Sequence, residues 1–102
     1  MTYYELITIT KPDVSSKFVR EVIKDMVTTY GGEIETAEDW GVRRLAYPIK
    51  RNGKKYDRGF YMLIDYHTPT EDKGKLLIDD LNKYFNNEED ILKHIVVKRD
   101  DR

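Results

Sequence analysis

The densest chemistry in this sequence is a run of cations. Between Arg43 and Arg58 stand seven basic residues, Arg43, Arg44, Lys50, Arg51, Lys54, Lys55 and Arg58, against one acid, Asp57. The stretch carries +6 in a chain of net charge −1, so the remainder carries −7. Phosphate contacts need several cations along one surface, and the interleaved Tyr47 and Tyr56 offer faces on which unpaired bases stack. The same pattern also suits a soluble hairpin whose lysines guard an exposed edge. Nothing comparable points to catalysis. The absence of cysteine excludes disulfides, thiolate metal sites and cysteine nucleophiles. His67 and His94 are the only histidines and lie far apart, which leaves no multi-histidine metal centre. Asp79-Asp80 and Glu88-Glu89-Asp90 have no companion base or nucleophile and read as solvated surface. Phosphate-loop, dinucleotide and nucleophile-elbow patterns are missing. No enzyme, cofactor or small-molecule substrate is expected.

The elements that must position these residues follow from periodicity. Tyr3 to Thr10 is aromatic, β-branched and partly alternating, as a strand is. From Ser15 the apolar residues Phe18, Val19, Val22, Ile23, Met26, Val27 and Tyr30 fall at three- and four-residue steps, the stripe of an amphipathic helix closed by Gly31-Gly32. Glu33 to Lys50 reads as a long strand, with a bulge near Gly41 reconciling its two parities. Pro48 confines it to an edge or an end. Arg51 to Lys55 is a turn around Asn52-Gly53. Arg58 to His67 sets Phe60, Met62, Ile64 and Tyr66 against Tyr61 and Leu63, apolar on both faces, and so predicts a central strand. Thr68 as cap, Pro69 in the first helical position and Glu71 in a capping box predict a second helix. Its stripe is Leu77, Ile78, Leu81, Tyr84 and Phe85, and Gly74 weakens its first turns by about 1 kcal/mol. Ile91 to Arg99 is a last strand, and residues 99–102 are expected to fray.

The order β-α-β-β-α-β over 102 residues is one α+β domain, residues 1–102. Two split βαβ units give a four-stranded antiparallel sheet with both helices on one face and the other face open to a partner. No apolar run approaches about 18 residues, and Met1-Thr2-Tyr3-Tyr4-Glu5 does not read as a signal peptide, so no membrane contact is expected. Arg58-Gly59-Phe60 is similar to the start of the ribonucleoprotein octapeptide of RNA-recognition motifs, although Met62 and Asp65 stand where later aromatics belong. That likeness supplies an alternative, a stand-alone RNA-binding module stacking bases on Phe60.

A longer resemblance covers Tyr3 to Arg99. Tyr4-Glu5-Leu6, Gly31-Gly32, the block Glu38-Asp39-Trp40-Gly41-Val42-Arg43-Arg44-Leu45-Ala46-Tyr47-Pro48-Ile49, Tyr66-His67-Thr68-Pro69 and Ile95-Val96-Val97-Lys98 resemble the small-subunit ribosomal protein six family. The resemblance implies a ferredoxin-like fold and a structural, non-catalytic role. It also implies pairing with small-subunit ribosomal protein eighteen and joint binding to the central domain of small-subunit ribosomal RNA. A near-neutral protein neutralises few phosphates alone, so a partner adding cations fits that role. The open sheet surface and the acidic remainder of the chain are the docking areas expected for such a partner. Arg43 and Arg44 match the family's paired arginines and, on alternate faces of a strand, are expected to do different jobs. Lys98 and Arg99 are expected near the N-terminal strand as a second phosphate contact. The expected RNA-binding set is thus Arg43, Arg44, Lys50, Arg51, Lys54, Lys55, Arg58, Lys98 and Arg99. The long segment from Lys50 to Gly59, followed by an aromatic, is similar to mitochondrial members. A mitochondrial ribosome is therefore placed slightly ahead of a bacterial one.

Overall fold

Strict alternation fixes the centre of the sheet. In β1 (Thr2–Thr10), Tyr4, Leu6 and Thr8 are buried beneath the helices, whereas Glu5 and Ile7 face the other way. In β3 (Lys54–Thr68), Met62, Ile64 and Tyr66 are buried on the same side as Leu6. A computed structural model describes residues 1–99, with α1 (Ser16–Thr29) and β2 (Glu33–Arg51) between those strands and α2 (Glu71–Asn87) and β4 (Ile91–Arg99) after them. The sheet order is β2-β3-β1-β4 and every neighbouring pair is antiparallel. This is the expected ferredoxin-like arrangement, with β3 central and β2 at an edge.

Both helices cover one face. Val19, Ile23 and Val27 of α1 and Leu77, Leu81 and Phe85 of α2 close on Leu6, Met62, Ile64 and Tyr66 in a single core. Each such aliphatic side chain contributes about 1.5–3 kcal/mol by leaving water. Gly74 has a role that helix propensity does not reveal. A Cβ there would stand 2.0 Å from the Tyr4 hydroxyl, so α2 seats over the Tyr4 ring only because this position is bare. Tyr4 in turn stacks on Tyr66 with centroids 5.2 Å apart.

Four local expectations are corrected. Phe18 is 62% exposed, because the buried stripe of α1 runs through Val19, Ile23 and Val27 and leaves it on the flank. Thr70, not Thr68, caps α2: its side chain accepts from the Lys73 N–H, whereas the Thr68 hydroxyl donates to the Thr70 carbonyl. Pro69 therefore precedes the helix and Glu71 opens it. Arg99 does not fray, since it is the last residue of β4 and pairs with Glu5 at 2.9 Å. The rest of the expected tail, residues 100–102, lies outside the described residues. Finally, β3 begins at Lys54 rather than Arg58, so the turn shrinks to Asn52 (φ 51°) and Gly53 (φ 79°). Two positive φ values make it the tight type I′ connection that matches strand twist.

The edge strand is irregular in three places. Its register with β3 shifts between Ile34 and Thr36, between Asp39 and Gly41, and between Arg44 and Ile49. The second shift is the expected bulge, with Gly41 at φ 81°. The third was not legible from alternation. Residues 45–48 there oppose Asp57 alone, so Pro48 has no ladder partner to disappoint. Leu45 turns inward from this bulge to join Ile9 and Leu92 in a second small apolar cluster on the open side of the sheet.

Candidate nucleic-acid interface

The β2–β3 hairpin places cations opposite cations. Arg44 pairs with Arg58, Lys50 with Lys55 and Arg51 with Lys54 as Cα partners across the ladder. Like charges directly opposite in an antiparallel pair are destabilising. A hairpin that repeats the fault three times holds an unmet demand for negative charge. Among the described residues, Arg44, Lys50, Lys55 and Arg58 make no ion pair that would meet it.

Three cations of the arm are held by the protein itself. Arg43 lies over the Trp40 ring at 5.3 Å and donates from Nε to the Trp40 carbonyl at 3.3 Å. Lys54 lies over the Tyr56 ring at 5.4 Å, and Lys11, from the end of β1, approaches the same ring at 5.7 Å. Arg51 donates from one Nη2 to three carbonyl oxygens, those of Phe85, Asn86 and Glu88, at 3.4, 3.1 and 2.9 Å. Tyr47 rides outward on the bulge and is 82% exposed, whereas Tyr56 is half-buried beneath its lysines. A shallow cleft of about 370 Å³ opens between Pro12 and Asp13 on one side and Lys54 to Arg58 on the other.

The sheet separates the two expected RNA-binding groups. Lys98 and Arg99 sit beside the N-terminal strand as expected, opposite Tyr4 and Tyr3. The arm begins beyond the other end of β1, where Thr10 pairs with Phe60. Seven steps of strand, about 24 Å, lie between them. Both terminal cations also have acidic neighbours. Lys98 reaches Glu71 of α2 at 3.2 Å, and Arg99 reaches Glu5 at 2.9 Å and Asp65 at 3.9 Å on the open face. The Lys98 ammonium, and then Lys75, hold the Glu71 carboxyl below its ordinary range.

With this geometry in place, comparison with known proteins is decisive. The sequence profile described as Ribosomal protein S6 matches residues 3–98. The chain belongs to the ribosomal protein S6 family. It is 36% identical over 96 residues to the small ribosomal subunit protein bS6 of Pelobacter propionicus, covering 91% of this chain and 67% of that one. It is 35% identical over 105 residues to its counterpart from Campylobacter curvus, covering 100% of this chain and 68% of that one. The crystal structure of 30S ribosomal protein S6 from Thermotoga maritima superposes with a TM-score of 0.75 at 21% identity, over 96% of this chain and 87% of that one. That likeness carries the fold.

The block that resembles the S6 family, Glu38 to Ile49, is thus the outer strand leading into the arm. Arg43 and Arg44 do point to opposite faces: Arg43 pairs with Gly59 on the open side, and Arg44 pairs with Arg58 on the helix side. The octapeptide-like reading of β3 fails on this alternation. Phe60 packs against the helix-side core, so its ring is not on the open face where bases would stack. Lys11, the Trp40–Arg43 stack and the carbonyl contacts of Arg51 were missed. Each depends on a neighbour that the fold, not the sequence, brings close. The paired acids behave as surface. Asp80 accepts from the Tyr30 hydroxyl, and Glu89 and Asp90 flank Lys11 at 3.5 and 3.7 Å.

Proposed function

We propose that this protein is a structural constituent of the small ribosomal subunit that binds the central domain of small-subunit ribosomal RNA through its β2–β3 arm, jointly with ribosomal protein eighteen. Membership of the S6 family supports the ribosomal role, and the curated relatives named small ribosomal subunit protein bS6 are bacterial, which fits a bacterial ribosome. The observation that carries the RNA reading is the ladder of like-charge pairs, Arg44–Arg58, Lys50–Lys55 and Arg51–Lys54. Phosphates brought against the arm supply the missing anions, reaching Lys50–Lys55 and Arg51–Lys54 from opposite faces because these are neighbouring rungs. Exposed Tyr47 adds an aromatic face for an unpaired base. Arg43 and Arg44 continue the cationic surface along β2, and Lys98 and Arg99 form a separate, secondary contact at the far end of the sheet.

The partner reading rests on the opposite resource. The open sheet face exposes Ile95 and Val97 at 43% and 48%, beside Glu5 and Asp65. This apolar strip, bordered by the Arg99 ion pairs with Glu5 and Asp65, is the surface offered to the partner, which then adds its own cations to the arm's. The test of the arm is the salt dependence of RNA binding. Replacing Lys50, Lys54 and Lys55 together by Gln is expected to reduce the log–log salt slope by about one unit for each phosphate no longer neutralised. An unchanged slope would remove the arm from the RNA interface.

A further inference from the structure

The seven cations of the arm are not equivalent, and Arg51 is the one tied to the end of a helix. It stands at the last position of β2, where the hairpin is about to turn, and is only half-exposed. One guanidinium nitrogen lies within 3.4 Å of the carbonyl oxygens of Phe85, Asn86 and Glu88. These belong to the last turn and C-cap of α2. The last four carbonyls of a helix lack partners within the helix, and their end of the helix carries the negative pole of its dipole. The last turn of α2 contains no basic residue of its own, so the missing positive charge arrives from the arm.

We infer that Arg51 is a positioning residue. It pins the root of the hairpin turn to the C-terminal end of α2 and presents Lys50, Lys54 and Lys55 to RNA in one preset arrangement. The inference rests on the RNA reading of the arm, and it alters that reading. Arg51 contributes order rather than a phosphate contact. A two-stranded ribbon projecting from a sheet edge has little to hold it, since an isolated hairpin is marginal in water. Repulsion between Lys50 and Lys55 loosens it further. One guanidinium nitrogen shared among three carbonyls opposes both effects, and a lysine, whose stem ends one bond short of Nη2 in a compact ammonium, does not place a donor at the same point.

The test uses Arg51→Met, which keeps an unbranched stem, and Arg51→Lys, which keeps the charge. Amide hydrogen exchange in the free protein reads the order of the arm, and RNA affinity across a salt series reads phosphate contacts. In both variants, exchange in residues 50–58 is expected to rise while amides of Leu6 and Ile64 stay protected. Affinity at a single salt concentration falls by about tenfold, roughly the ordering cost of one or two long side chains, with the salt slope unchanged. Unchanged exchange with a slope reduced by about one unit makes Arg51 a direct phosphate contact and overturns the inference. If Arg51→Met fails to fold, Arg51→Lys gives the same two readouts. If the arm loosens as expected but the unaltered protein and its partner show no salt-dependent RNA binding, the RNA reading falls while the pin stands.

Discussion

Lys50 and Lys55 face each other as partners across the β2–β3 ladder, and neither makes an ion pair among the described residues. Such a pair is tolerated for a reason other than stability. Lys55→Glu converts repulsion into attraction and is expected to stabilise the free protein by about 0.2–1 kcal/mol. The same change is expected to weaken RNA binding. Thermal unfolding and an RNA titration on one preparation check both halves. A variant that is more stable and binds RNA equally well would contradict the account.

Tyr47 is 82% exposed, so its ring contributes little to folding. Tyr47→Ala is expected to leave stability within about 0.5 kcal/mol of the parent. If the ring stacks on a base, RNA binding weakens by about 1–3 kcal/mol. Parallel melts and binding isotherms separate these effects. A large drop in melting temperature would show that Tyr47 serves the fold instead.

Gly74→Ala opposes two known quantities. Helix propensity favours alanine by about 1 kcal/mol. The Tyr4 hydroxyl and ring carbons, 2.0 to 2.8 Å from the new methyl, oppose it, and overpacking of a buried site costs about 1–3 kcal/mol. Tyr4 is 2% exposed and stacked on Tyr66, so it has little room to retreat. The steric effect wins and the variant unfolds at a lower temperature. A raised melting temperature would show that Tyr4 moves freely.

His94 gives the fold a weak acid sensitivity. Its Nε2 lies 2.7 Å from Asn82 Oδ1 and its ring packs 4.7 Å from Phe85. Burial holds the imidazole below its ordinary value of 6.5. The unfolded chain therefore takes up the proton first. The contribution is fully present above the unfolded value and is lost as pH falls from there towards the folded one. The parent is expected to lose more melting temperature than His94→Gln between about pH 7.5 and about pH 5.5. Equal losses in the two proteins would place the sensitivity elsewhere.

Most of the fold was legible because buried and exposed residues alternate cleanly where the sheet is regular. Leu6, Met62, Ile64, Leu77 and Leu81 all fall on the core face that periodicity assigns them. The arm was legible in its charge and less so in its shape. Alternation is local, so it could place Gly41 near a bulge but could not show that residues 45–48 oppose Asp57 alone. The helix start was displaced by two residues because Thr68 and Thr70 both satisfy the chemistry of a cap, and the burial of Thr68 in β3 decides between them. Arg51 reads as one cation among seven because the carbonyls it meets are over thirty residues away in sequence. Phe60 reads as a stacking aromatic for the same reason, since only the helices above it show which face is covered.

The central claim is that the arm binds ribosomal RNA as one half of a joint surface. The most direct measurement is the affinity for a central-domain fragment of small-subunit ribosomal RNA, with and without ribosomal protein eighteen, at two salt concentrations. The account predicts tight binding only when both proteins are present, weakening steeply as salt rises. Equal affinity without the partner, or a pair that never binds the fragment, would contradict it.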